Sequence, residues 1–255
     1  MTFKHSLTSG ALTVGAFVKT PSPIVVEVLG LTELDCLCLD AEHSPYDRLA
    51  IDACVMAARA AGKPVLVRPP SAAPEHILNA LDCGATGVVL PHIRSEAEAR
   101  AVALTSHYGA GGRGYAGSSR AAAYTAKPMA AHLAESAAQT VVVAQIEDVE
   151  ALEAIDAIAA VPGIDALFVG RVDLTVAMGA ASVDDPRVIA AVEAVCDAGR
   201  RLGRTVGMFL GRASDVAAWR EKGASFFLLG SDHNFMIAGA AEMLRQAKGP
   251  TPGGG

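Results

Sequence analysis

Glu147 and Asp173 are the two carboxylates whose placing asks for chemistry. Each follows a short apolar run, VVVAQI and ALFVG, and one strand–helix–strand unit separates them. Neighbouring parallel strands lie about 4.8 Å apart. Two carboxylates at adjacent strand ends repel unless a cation lies between them. With Gln145 close by and no Cys or His in the interval, the set is oxygen-rich. Such donors favour Mg2+ or Mn2+, with Co2+ and Zn2+ also able to load. The competing reading is capping, Glu147 ahead of the helix that opens at Asp148 and Asp173 ahead of a turn. Spacing leaves both open.

A second group sits in DAEHSPYD, residues 40–47. Asp40, Glu42 and His43 arrive within four positions, and a carboxylate partner would fix the histidine's tautomer and raise its basicity. A lone histidine in a loop is more often structural. Arg68 closes the run VLVR. A fixed planar cation near a divalent metal suits a substrate carboxylate or a developing enolate; it would equally well hold a loop carboxylate.

The elements that must position these groups are short apolar runs, each followed by a helical pattern. Strands are expected near 12–18, 35–40, 64–68, 86–90, 141–145, 165–169, 205–209 and 225–229. Helical patterns start near Tyr46, Ser95 and Asp148. In the last, Leu152, Ile155 and Ile158 form one apolar stripe. Eight strand–helix units point to a (β/α)8 barrel, an α/β fold. An open doubly wound sheet is the rival, but no G-x-G-x-x-G follows the first strand. In a barrel the carboxyl ends of the strands build the active site. Here those ends carry Lys19, Asp40, Arg68, His92, Gln145, Gly170, Phe209 and Asp232. If Asp40 points inward, period-2 alternation puts Cys36 and Cys38 on the inner face and Leu37 and Leu39 on the outer one.

The bulk numbers exclude several classes. The net charge of −6, without a basic run, and 5% aromatics argue against nucleic acid. The first ten residues lack the apolar core of a signal peptide. No apolar run approaches the roughly 20 residues of a membrane span. A cytoplasmic protein is expected. The five cysteines lack the paired spacing of a zinc site and read as buried thiols. The chain divides into one domain over 1–248 and a disordered tail over 249–255. The Gly-rich stretch 109–124 lacks the G-K-[ST] of a phosphate loop. It reads either as a surface loop or as a flap over a site.

Taken together, DAEHSPYD, VLVRPP, LDCGATGVVLPHIRSEAEA, GGRGYAGSSRAAAY, AQIEDVEALE and ALFVGRVDL resemble the HpcH/HpaI family of metal-dependent (class II) pyruvate aldolases over about residues 10–245. The resemblance implies a pyruvate-type barrel that reversibly cleaves a 4-hydroxy-2-keto acid to pyruvate or hydroxypyruvate and an aldehyde through an enolate. It implies His43 as the base, Asp82 as the partner that raises its basicity, and Arg68 as the group that stabilises the enolate. Glu147 and Asp173 become the metal ligands. Gln145, Gly170 and Val172 contact the keto acid, with Phe209 as an apolar wall. Asp40 and Glu42 become supports around the metal. A homo-oligomer, trimer or hexamer, is implied, with the last helix exchanged between neighbours; the ordinary reading is that HNFMIAGAAEMLRQA closes its own barrel.

Two positions depart from the family pattern, Arg171 in GRVDL and His233 in GSDHNFM, and they bear on the substrate rather than the reaction type. The rivals are a Schiff-base aldolase using Lys19, a thioester lyase of the citrate-lyase-β or malyl-CoA kind, and a keto-acid-binding barrel without turnover. Lys19 lacks an apolar pocket in the sequence, and a thioester lyase needs a basic cluster for CoA that is absent.

Overall fold

The computed structural model describes residues 2–249. Eight parallel strands close into a barrel in chain order, β1 Thr13–Val18, β2 Cys36–Asp40, β3 Val65–Arg68, β4 Gly87–Leu90, β5 Val141–Ile146, β6 Ala166–Val169, β7 Thr205–Leu210 and β8 Phe226–Ser231. Each lies within two residues of its expected bounds. Helices α1 Phe3–Thr8, α2 Pro23–Gly30, α3 Arg48–Ala60, α4 Pro74–Asp82, α5 Glu96–Ser106, α6 Met129–Gln139, α7 Val149–Glu153, α8 Ile155–Ala160, α9 Arg171–Ala177, α10 Pro186–Leu202, α11 Val216–Glu221 and α12 Asp232–Lys248 accompany them. The helix expected from Asp148 breaks at Ala154 into two short pieces, and its apolar residues Ile155 and Ile158 still face the core. Of the tail expected over 249–255, all but Gly249 lies outside the described residues.

Alternation sorts the strands as their residue types require. Cys36, Cys38, Phe17, Leu66, Phe168 and Phe226 belong to the barrel interior, whereas Leu37 and Leu39 pack with the helices. Small thiols on β2 leave room for the rings opposite. Phe17 and Phe168 meet edge to face at 6.4 Å, a favoured aromatic geometry. A fully buried phenylalanine contributes about 1.5–3 kcal/mol. These rings therefore form a firm floor beneath the polar rim. All five cysteines are free and buried, and burial pushes the Cys54 and Cys196 thiols up to about 11, which keeps them inert.

Register brings the rim groups together. Asp40 of β2 pairs with Arg68 of β3, and Gln145 and Ile146 of β5 pair with Phe168 and Val169 of β6. Glu147 therefore emerges beside Gly170. The helix after DAEHSPYD begins at Arg48, two residues later than its periodicity suggests, because Asp47 is the N-cap and accepts from the Ala50 N–H at 2.8 Å.

The last helix does not close its own barrel. Past Asp232 every described side chain of α12 is exposed or half-buried, including Ile237 and Met243 at 70% and 74%. The stretch 109–124 is not a flap over its own rim either. It joins α5 to α6, and its Ala121 N–H donates to the Asp82 carbonyl at 3.3 Å, at the amino end of the barrel where α4 stops. There it ends in a short 3-10 turn, Ala123–Thr125, that visits the left-handed region at three non-glycine residues.

Candidate active site

Three layers of charge build the rim. The deepest is Asp40, fully buried, which accepts from Arg68 Nε at 3.1 Å and the His43 N–H at 3.2 Å and pairs with Lys19 Nζ at 2.5 Å. Burial alone would raise its pKa; the Arg68 charge and the Lys19 hydrogen bond outweigh that and hold it below the usual carboxylate range. Lys19 is thus engaged by a carboxylate, the opposite of the apolar setting that a Schiff-base lysine needs. Its backbone N–H donates to Asp232 Oδ1 at 2.7 Å, and that of Thr20 to Oδ2 at 3.0 Å.

Arg68 forms the second layer. Nη2 reaches Asp40 at 2.9 Å and Nε reaches Glu42 Oε2 at 3.2 Å, while its guanidinium lies 4.7 Å above the Phe17 ring centre. Among the described residues no protein group takes Nη1. The cation is therefore fixed on one side and free on the other.

The third layer is the carboxylate set. Glu147 is 3% exposed and its carboxylate accepts from His92 and Gln145 rather than from the first turn of α7, so the capping reading fails for it. Its Oε1 accepts from the His92 N–H at 2.9 Å, and its Oε2 is bonded by Gln145 Nε2. A Cβ at Gly170 would lie 2.7 Å from Glu147 Oε2 and 3.4 Å from Asp173 Oδ2. Both carboxylates thus flank the gap that the missing side chain leaves. On the other side, donor atoms of Glu42, His92 and Glu147 all lie within 4.8 Å of one another. Glu42 Oε2 and Gln145 Oε1 are buried and lack hydrogen-bond partners. Burial and the nearby Glu147 raise the pKa of Glu42 in spite of Arg68. Crowded oxygens, with Gln145 Oε1 lacking a hydrogen bond and Glu42 Oε2 met by the Arg68 charge, fit a hard divalent cation. Glu147 belongs to both groupings, and Asp173 and Glu42 approach it from opposite sides.

His92 had no role in the sequence reading beyond its place at a strand end. It is a non-glycine residue at φ 57°, in the left-handed region, a strain that clusters at functional sites. Its Nδ1 lies 3.0 Å from Asp148 and 3.4 Å from Glu147. Partial burial works against its protonation, but Asp148, Glu147 and Glu42 together raise its pKa. The motif VLPH gave the residue; the strained backbone that turns it toward Glu147 has no signature in residue type.

A cavity of about 310 Å3 opens above these groups. Gln145, Gly170, Val172, Asp173 and Arg68 line it together with the rings of Phe17, Phe168 and Phe209. His43 lines its mouth, with its side chain 56% exposed and 3.7 Å from Glu42. Arg171 turns its guanidinium onto Trp219, 5.0 Å from the ring centre, and donates to the Val183 carbonyl at 3.2 Å. His233 Nε2 lies 3.1 Å from Thr20 Oγ1.

One residue of the sequence-derived set lies elsewhere. Asp82 is the last residue of α4, and a helix that follows β3 ends at the amino face of the barrel, away from the rim. Burial raises its pKa, and the charges that reach it are those of Arg113, Arg48 and His132. Among the described residues no hydrogen bond or ion pair joins it to His43.

The HpcH/HpaI aldolase/citrate lyase family model matches residues 13–238, most of the chain. The chain belongs to this family. A 5-keto-4-deoxy-D-glucarate aldolase of Salmonella arizonae is 32% identical, with 94% of each chain covered. Among solved structures, an HpcH/HpaI aldolase of Desulfitobacterium hafniense superposes with a TM-score of 0.90 at 31% identity, over 99% of this chain and 98% of the other. A family protein of Burkholderia cenocepacia gives 0.91 at 29% identity, over 96% and 98%. This HpcH/HpaI protein is accordingly a metal-dependent class II aldolase, a carbon–carbon lyase on a (β/α)8 barrel. No helix among its described residues is long and apolar enough to cross a membrane.

The Gly170 gap offers a direct check on where the metal sits in this family member. Gly170→Ala places a methyl group between Glu147 and Asp173. We expect metal affinity to fall at least tenfold while the far-ultraviolet circular dichroism stays unchanged. Unaltered affinity, measured by competition with a chelator dye, would move the site to the Glu42–His92 side.

Proposed function

We propose that the enzyme cleaves a 4-hydroxy-2-keto acid, an open-chain keto-deoxy sugar diacid of the kind in its relatives' name, to pyruvate or hydroxypyruvate and an aldehyde. One observation supports this most: a small cavity lined by Asp173, Arg68 and Gln145 together with three phenylalanines. The charged and amide groups suit the keto acid, and the phenylalanine rings keep water from the bond that breaks. Glu147 and Asp173 would hold the metal, with Glu42 and His92 beside it; Mg2+ or Mn2+ fits their hard donors. When bound, the ion acts as a Lewis acid toward the keto acid's oxygens.

The chain's own groups divide the remaining work. Arg68, with Nη1 free, meets the charge that develops as the carbon–carbon bond breaks. Gln145 and the backbone at Gly170 and Val172 orient the keto acid. His43, exposed at the mouth of the cavity, takes the proton of the 4-hydroxyl group. Its pairing with Asp82 requires a second copy of the chain, because one chain keeps the two at opposite ends of the barrel. The bare apolar side chains of α12 support a homo-oligomer as well, a trimer or hexamer in which that helix packs on a neighbour. Such an enzyme, one catalytic domain, works in the cytoplasm on small molecules.

The test is pyruvate release from a panel of 4-hydroxy-2-keto acids that includes 5-keto-4-deoxy-D-glucarate, with and without Mn2+. We expect turnover that chelation abolishes and Mn2+ restores. Turnover of thioesters alone, or binding without turnover, would overturn the proposal. The assembly is checked by light scattering: Ile237→Asp with Met243→Asp should reduce the molar mass, and a monomeric parent protein would refute exchange of α12.

A further inference from the structure

We propose that the barrel carries a second ligand site, a cavity for a phosphate group at its amino end. The cavity, about 220 Å3, lies between the end of α3, the 109–124 stretch and α6, and it reaches Thr86 and Thr140 just ahead of β4 and β5. It is therefore separate from the rim of the same barrel, where the carboxylates gather.

Its charge is unbalanced. Arg59, Arg113, Arg120 and Lys127 line it, against one lining carboxylate, Glu135, which Lys127 already engages. Arg120 is held from outside by Asp52 at 2.5 Å. Arg113 is the unexplained member. It is 6% exposed and stacks 4.0 Å over the Tyr108 ring. Its Nη2 reaches only Ser136 Oγ, at 3.5 Å, and Nε and Nη1 have no hydrogen-bond partner. Asp82 feels its charge, but no ion pair joins the two among the described residues. Burying a guanidinium whose counter-charge, Asp82, makes no ion pair with it is costly, and a neutral water does not offset the charge.

A compact oxyanion resolves this arrangement. The planar fork of arginine matches two phosphate oxygens, and Lys127 and Arg59 add charge at the open side. The hydroxyl groups of Ser136 and Thr140, hydrogen-bonded to each other at 3.2 Å, leave one O–H to donate. The cavity has room for inorganic phosphate or for the head of a small phosphate ester. Occupancy would also fix the 109–124 stretch, which carries both Arg113 and Arg120, against α6.

The experiment is thermal unfolding of the holoenzyme with metal and saturating pyruvate present, so that the rim is occupied. Inorganic phosphate and glycerol 3-phosphate are titrated in separate arms at constant ionic strength, balanced with chloride. The expected result is a saturable rise of roughly 3–5 °C at tenfold excess over Kd. A rise with either probe supports the site, and the arms tell free phosphate from an ester. Arg113→Gln should abolish the rise. Because that variant touches a buried residue, Arg59→Gln with Lys127→Gln provides a surface pair that should weaken binding about tenfold. No rise beyond chloride with either probe, a rise that survives in a folded Arg113→Gln protein, or one that saturating pyruvate removes would overturn the proposal.

Discussion

Glu147→Gln is expected to lower metal affinity at least a hundredfold and kcat/KM by roughly a thousandfold or more, the order of magnitude set by loss of the principal transition-state charge stabiliser. The substitution is nearly isosteric, so packing survives. What disappears is the one carboxylate shared by both groupings at the rim, with Oε1 on the His92 N–H and Oε2 facing Asp173 and Gln145. Chelator competition measures the affinity, and affinity within threefold of the parent would sink the assignment. The same site predicts a pH dependence. Glu42 has a raised pKa in the folded protein, so it favours folding below the ordinary carboxylate pKa and loses that contribution as pH rises through its folded value. Metal relieves the repulsion that appears there. The gain in Tm on adding Mn2+ should accordingly grow as pH rises from the ordinary carboxylate range through that folded value.

Arg68→Ala should lower kcat/KM by about 100- to 1000-fold. It should also destabilise the fold by about 3–5 kcal/mol, because Glu42 loses its cation and Asp40 keeps only Lys19. Arg68→Lys should recover stability better than activity. An ammonium can meet one carboxylate, but it lacks the fork that holds Asp40 and Glu42 while leaving Nη1 toward the cavity. Steady-state kinetics with parallel thermal unfolding separates the two effects. Kinetics of Arg68→Ala within twofold of the parent would remove Arg68 from the reaction.

Much of the rim was legible because chain order in a barrel maps onto position. A strand end is the functional end, so Asp40, Arg68, Gln145 and Gly170 could be collected from the sequence without knowing their distances. Period 2 likewise carried Cys36 and Cys38 inward. Glu42 was read as a support, yet it shares Asp40's parity along the chain and comes within 4.8 Å of Glu147 and His92. Asp82 shows the limit in the other direction. A motif can associate it with His43, but a residue at the end of a helix sits at the amino face of its own barrel. The ends of α12 and the 109–124 stretch were open questions for a similar reason: an amphipathic helix and a Gly-rich loop do not encode which surface receives them.

Asp232 has a consequence for the order in which the enzyme comes into being. Its carboxylate grips the backbone N–H groups of Lys19 and Thr20 across 213 and 212 positions of chain. The first strand's polar end, with the lysine that steadies Asp40, is thus clasped by a residue that leaves the ribosome long after it. Until then β1 lacks its β8 neighbour, and the barrel is an open sheet with two bare edges. The reactive end is completed only after β8 and Asp232 have been made, which places the burden of avoiding edge-to-edge association on the nascent chain.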